Sequence, residues 1–187
     1  MPTDSPADLT SRRVGLAALL LFLASVPFAK WLIQHVGTVC VPMGPCLVPV
    51  APGVMAPSGV LAVGLALVLR DVVQRCLGPA WGIGAIVAGA ALSTLIAPPS
   101  LVLASGAAFL LSELADFAVY TPLQRRGLVL AVLASAMAGL VVDSVVFLTL
   151  AFGSLDFLAG QVIGKAWAVL ASIPFIRLLR RVAPTPA

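Results

Sequence analysis

Long apolar runs, broken by short polar or proline-rich stretches, set the plan of this chain. Residues 14–29 are apolar, follow Ser11-Arg12-Arg13 and lead into Lys30 and Trp31. Residues 37–59 carry prolines at 42, 45, 49, 52 and 57 and no charge, a density that no regular helix survives. They read as an ordinary outer loop or as a cap over a cavity, where irregular backbone is tolerated. Further apolar runs cover about 56–69, 80–97, 101–120, 128–152 and 158–179. Together with the first run they predict six helices of roughly 20 residues, the length that suits a hydrocarbon core of about 30 Å. The second run ends at Arg70-Asp71-Val72-Val73-Gln74-Arg75, the third at Pro98-Pro99, and Pro122 stops the fourth. The expected organisation is a disordered tail (1–11), one transmembrane domain (12–181) and a short tail (182–187).

Two stripes of small residues at four-residue steps mark close helix contacts. One is Ala85, Gly89, Ser93; the other is Ala131, Ser135, Gly139, which leads to Asp143. The first apolar run resembles a signal peptide superficially. No small-x-small cleavage site follows it and many apolar runs come after, so it reads as the first transmembrane helix. Basic residues then orient the chain. With the amino terminus inside, Arg12, Arg13, Arg70, Arg75, Arg125, Arg126, Arg177, Arg180 and Arg181 are all cytoplasmic and Lys30 is outside. That is the positive-inside pattern, and it makes both termini cytoplasmic.

Composition agrees. Of 187 residues, 61% are hydrophobic and 10% charged, with a mean hydropathy of +1.14. A soluble domain carries about 25% charged residues, so the class is an all-α polytopic membrane protein. The net charge of +4 sits at the ends of apolar runs and signals orientation, not nucleic-acid binding. Cys40 and Cys46 share one loop. A disulfide between them needs an oxidising compartment, and spacing alone does not fix the geometry. A zinc site with His35 lacks a fourth ligand.

Glu113, Asp116, Asp143 and Lys165 lie inside predicted spans. Each charge costs about 2.5–3.5 kcal/mol at mid-membrane and is a functional-site candidate by default. Phe109, Glu113, Asp116 and Tyr120 step by four, three and four, so ring, acid, acid and ring share one helix face. Gln161 lies four residues before Lys165, on the same face. From helical rise, Lys165 is roughly 10 Å and Asp143 roughly 14 Å from the outer end, which makes them partners. Glu113 is roughly 18 Å deep; Asp116 is deeper and can reach Arg70 or Arg126. Three acids and one lysine leave a formal charge of −2 among these four, which leaves room for a protonated acid. The bland readings are an interface acid for Asp116, a helix lock for Asp143–Lys165, and packing for Phe109 and Tyr120. Trp167 faces away from Gln161 and Lys165. No nucleotide loop, dinucleotide glycine pattern or metal cluster occurs. Ser112 and Glu113 point to different faces, a poor nucleophile–base pair. No enzyme activity, cofactor or metal is expected.

Four blocks, Val68-Leu69-Arg70-Asp71-Val72-Val73-Gln74, Ser112-Glu113-Leu114-Ala115-Asp116-Phe117-Ala118-Val119-Tyr120-Thr121, Val142-Asp143-Ser144 and Gln161-Val162-Ile163-Gly164-Lys165, resemble the vitamin uptake transporter family. Its best-known members are queuosine-precursor transporters. The resemblance runs over about residues 42–179 with the blocks in the family's order. It implies six helices in a bacterial inner membrane and import of a 7-deazaguanine, such as the 7-cyano or 7-aminomethyl base. The family is also similar in plan to the substrate-capturing subunits of energy-coupling-factor vitamin transporters. Glu113 would accept N1–H and the exocyclic amine as a bidentate pair. Gln161 or Lys165 would donate to the ring carbonyl, and Phe109 or Tyr120 would stack on the base. Asp143 or Asp116 would suit a cationic aminomethyl group. Arg70 and Asp71 would form an ion pair or gate at the inner end. The expected partners are the small-molecule base and the lipid bilayer. A homo-oligomer, ATPase subunits, and proton-coupled or facilitated transport stay open. The rivals are the substrate-capturing subunit and a structural membrane protein whose charges only lock helices.

Overall fold

A computed structural model of the chain describes residues 6–40, 45–97 and 102–179. The expected Pro98-Pro99 turn, Pro42, Arg180, Arg181 and the carboxyl tail lie outside the described residues. The elements in order are α1 (Pro6–His35), β1 (Val39–Cys40), β2 (Cys46–Ala51), β3 (Val54–Pro57), α2 (Val60–Leu77), α3 (Pro79–Ile96), α4 (Val102–Leu123), α5 (Leu128–Phe152) and α6 (Leu158–Leu179). Five of the helices, all but α2, are long and apolar enough to cross a membrane.

Consecutive helices run up and down. A Cβ on Gly15 would meet Cys76 and Leu77, and one on Gly59 would meet Ala29 and Ile33, so α1 and α2 are antiparallel. Gly82 lies against Gln74, and Gly106 against Thr94, which continues the alternation into α3 and α4. Pro at the first position of α3 fits a helix start, since its missing N–H would have no partner there. At the end of α5, Gly153 adopts φ 65° and its N–H caps Thr149 O, a conformation that costs glycine little.

Helix α2 is the hub. Its Leu67 and Val68 join Tyr120, Val132, Leu140, Val169 and Ile176 in one core, against α4, α5 and α6. Its Ala66, Leu69, Val72 and Val73 join Ala18, Phe22 and Ala85 in a second, against α1 and α3. Outward faces stay apolar: Leu20, Leu95, Leu103, Leu130 and Leu178 are exposed, as a surface against lipid tails requires.

The structure corrects three expectations. The all-α class is amended by a three-stranded antiparallel sheet, ordered β1-β2-β3, in the proline-rich stretch. Cys40 pairs with Cys46 across β1 and β2, and the two form a disulfide. Trp167 Nε1–H on α6 donates to Val50 O in β2 at 2.9 Å, and Ser58 Oγ donates to Leu32 O of α1 at 2.7 Å. The sheet is thereby moored at one end of the bundle. Second, α2 starts at Val60 and continues through Arg70 and Asp71 to Leu77. Arg70 is fully buried mid-helix, so it does not serve as an interface anchor. Its charge is compatible with that depth because α4 supplies acids beside it. Third, α1 begins at Pro6, within the stretch expected to be a disordered tail.

Candidate functional site: a capped cavity above a buried ion cluster

Two polar centres lie along the bundle axis. The first is a cavity of about 440 Å3 at the sheet end, walled by all six helices and by Pro45 and Pro57 of the cap. Its polar lining includes Glu113 of α4, Asp143 of α5, and Gln161 and Lys165 of α6; its aromatic walls are Phe109 and Phe147. The remainder is mainly aliphatic, which suits a small apolar-faced ligand held by a few polar groups.

Lys165 organises the α5–α6 side. Its Nζ donates to Asp143 Oδ2 at 2.5 Å, Ser144 Oγ at 2.8 Å and Gln161 Oε1 at 2.8 Å. An ammonium has three N–H bonds, and all three are engaged. Lys165 therefore has no donor left for a ring carbonyl, which corrects one of the two donors expected. Because Gln161 Oε1 accepts from Lys165, its Nε2 is the donor left to the cavity. Ser144 was not singled out in the sequence, although it adjoins Asp143.

The second centre begins where the first ends. Arg70 Nε donates to Glu113 Oε2 at 3.1 Å, Nη1 to Gln74 Oε1 at 2.9 Å, and Nη2 to Asp116 Oδ1. Asp71 Oδ1 lies 3.0 Å from Nη1, and Ser135 Oγ donates to Asp71 Oδ2 at 3.2 Å. The guanidinium carbon is 5.8 Å and 5.9 Å from the Phe117 and Tyr120 ring centres, within range of cation–π attraction. Gln74 Nε2 in turn donates to Thr121 Oγ1 at 3.0 Å. One guanidinium thus binds α2 to α4 through two acids, with a third on its own helix.

The sequence-predicted residues divide between these centres. Phe109, Glu113, Asp143, Gln161 and Lys165 line the cavity. Asp116 and Tyr120 do not; they lie deeper, with Arg70 and Asp71. Glu113 belongs to both centres, as a cavity wall and as an Arg70 partner. The cavity residues that the sequence did not point to include Phe147, Ser25 and Gln34, and Lys30 was read only as an outer anchor. Ser135 carried a signal, since it shares the small-residue stripe with Asp143. Gln74 carried one too, standing four residues after Arg70 on the same helix face.

A family model described as "Putative vitamin uptake transporter" matches residues 58–183. The chain belongs to this family. The match covers about two thirds of the chain and takes in α2 through α6, and so every ionisable residue of both centres except Lys30. No curated protein and no solved structure matches the chain. As a member of this family, the protein is a multi-pass membrane transporter.

Proposed function

We propose that the protein imports a queuosine precursor, a 7-deazaguanine base, across a bacterial inner membrane, with both termini cytoplasmic and all six helices spanning. The observation that carries this reading is the cavity, where the Glu113 carboxylate, the Lys165-paired Asp143, one free amide donor and two aromatic rings converge. Arg70 takes one lone pair of Glu113 Oε2, so Oε1 and the second lone pair of Oε2 remain to accept N1–H and the exocyclic amine. Gln161 Nε2 donates to the ring carbonyl. Phe109, braced by Phe22 with ring centres 6.0 Å apart, supplies an apolar wall for the flat ring, and Phe147 another. Asp143 stands ready for a cationic 7-substituent, although Lys165 already neutralises it, so the neutral 7-cyano base fits better. Bases without the donor pair would leave the cavity-facing Oε1 of Glu113 without a donor, a basis for discrimination. Ligand pockets for small molecules typically run about 300–1,000 Å3, and this cavity falls in that range.

The test is uptake of labelled 7-cyano-7-deazaguanine by cells that cannot make queuosine. Cells with the wild-type protein should accumulate label; cells with Glu113→Gln, present at equal membrane level, should fall at least tenfold. No uptake by well-expressed wild type, with or without ATPase subunits of a vitamin transporter, would refute the substrate. Uptake that appears only with those subunits would make the chain a substrate-capturing component instead.

A further inference from the structure

The Arg70 cluster holds more negative charge than its arginine can balance. Asp71, Glu113 and Asp116 surround one guanidinium, and all four side chains are at most 3% exposed. With every group ionised the set carries a formal charge of −2. Two carboxylate oxygens in it, Asp71 Oδ1 and Asp116 Oδ2, are buried and accept no hydrogen bond. Asp71 Oδ1 lies 3.0 Å from Arg70 Nη1 as an ion-pair contact and makes no hydrogen bond there. The Asp71 and Asp116 carboxyl groups lie within hydrogen-bonding reach of each other. An unmade hydrogen bond on a buried acceptor costs about 1–3 kcal/mol, and more on a charged one. A single proton on this pair lets one carboxyl group donate to the other and reduces the charge to −1.

We propose that the Asp71–Asp116 pair is the coupling-ion site of this transporter, binding one proton that crosses with each substrate molecule. This rests on the transport reading above. The groups facing the pair are few. Helix α2 presents Arg70 and Arg75, the latter acting also on Tyr120. Helix α4 presents Glu113 and Tyr120, and α5 presents Ser135, with Asp143 one step further toward the cavity. Of the α6 cations, Lys165 is engaged by Asp143 and Arg177 is exposed. Helix α3 has no ionisable residue, and Lys30 of α1 is at the cavity mouth.

Arg70 connects proton to substrate. When the pair holds its proton, the guanidinium leans on Glu113 and the floor of the cavity is closed. A base that draws Glu113 into its own hydrogen bonds releases part of that hold. Arg70 then turns its charge to Asp71 and Asp116 and favours departure of the proton on the far side. The proton enters from the face the cavity opens to, by way of Glu113, and leaves at the other.

Right-side-out membrane vesicles given labelled 7-cyano-7-deazaguanine in the outside medium test this. Wild-type vesicles should concentrate the base at least tenfold when the outside is acid, and a protonophore should abolish that. In Asp116→Asn and Asp71→Asn, the movement of base that remains should no longer respond to the gradient. Wild-type exchange of internal for external base with no gradient response would overturn the proposal and keep the transport reading. Absence of exchange would overturn the substrate instead. Infrared spectra of the purified protein then decide the proton independently. A protonated-carboxyl band is expected in wild type and lost in either variant; no such band in wild type refutes the site.

Discussion

Lys165 is the residue on which the cavity's chemistry turns. Truncating it as Lys165→Met removes three hydrogen bonds and leaves Asp143 without its cation. Breaking a buried pair from one side costs about 3–5 kcal/mol. The Asp143 side chain keeps 16% exposure, so the lower end of that range is expected. Adding Asp143→Asn should restore much of the lost melting temperature, because the uncompensated charge goes with it. Ligand affinity should stay at least tenfold weak, because Gln161 still lacks the group that fixes its amide. Thermal melting and ligand titration on both variants separate these effects; recovery of affinity in the double variant would show Lys165 to be a helix lock only. The Asp143–Lys165 pair and the Gln161 face were legible in the sequence because helical rise and period place them. The fourfold grasp of Arg70 was not. Helical rise let Asp116 reach Arg70 or Arg126, but three charges after an apolar run look like the end of a span, and nothing local shows that Glu113 joins Asp116 on the same guanidinium.

At the scale of elements, close backbone approach holds the site together. A Cβ on Gly64 would lie 2.5 Å from Lys165 O and 2.9 Å from Ala168 Cβ, so α2 and α6 touch nearly backbone to backbone. Gly64→Ala must push α6 outward and carry Lys165 with it. Overpacking of this kind costs typically about 1–3 kcal/mol, so the variant should melt lower and bind the base more weakly. Gly84→Ala, with nothing within 4 Å, should leave both unchanged or slightly improved, since alanine is the better helix former. Equal behaviour of the two variants would contradict the α2–α6 contact. The helices themselves were readable from their apolar runs. The sheet was not, because proline cannot donate to a ladder and is rare in central strands. Here Pro49 sits in the central strand β2, and the register with β3 slips between Pro49 and Ala51. That irregularity and the Cys40–Cys46 disulfide let a proline-rich segment pair.

For the whole molecule, direction of transport depends on which end faces out. Two independent features agree. Arg12, Arg13, Arg75, Arg125, Arg126 and Arg177 gather at the end away from the sheet, which positive-inside bias assigns to the cytoplasm. The sheet end holds a disulfide, and disulfides persist in oxidising compartments and are rare in the cytosol. On the proposed topology the cavity mouth, framed by Lys30, Gln34, Pro45 and Pro57, opens to the exterior, and the Arg70 cluster lies on the inward side of the cavity. Thiol labelling with a membrane-impermeant maleimide checks it in a Cys76→Ser background. Intact cells should show no label until mild reduction exposes Cys40 and Cys46. A thiol introduced by Arg125→Cys should react only after permeabilisation. The reverse pattern would put the mouth in the cytoplasm, where reducing conditions would keep both cysteines as thiols. The same cavity, carboxylate and gate would then collect a base from inside the cell, and import would have to give way to export.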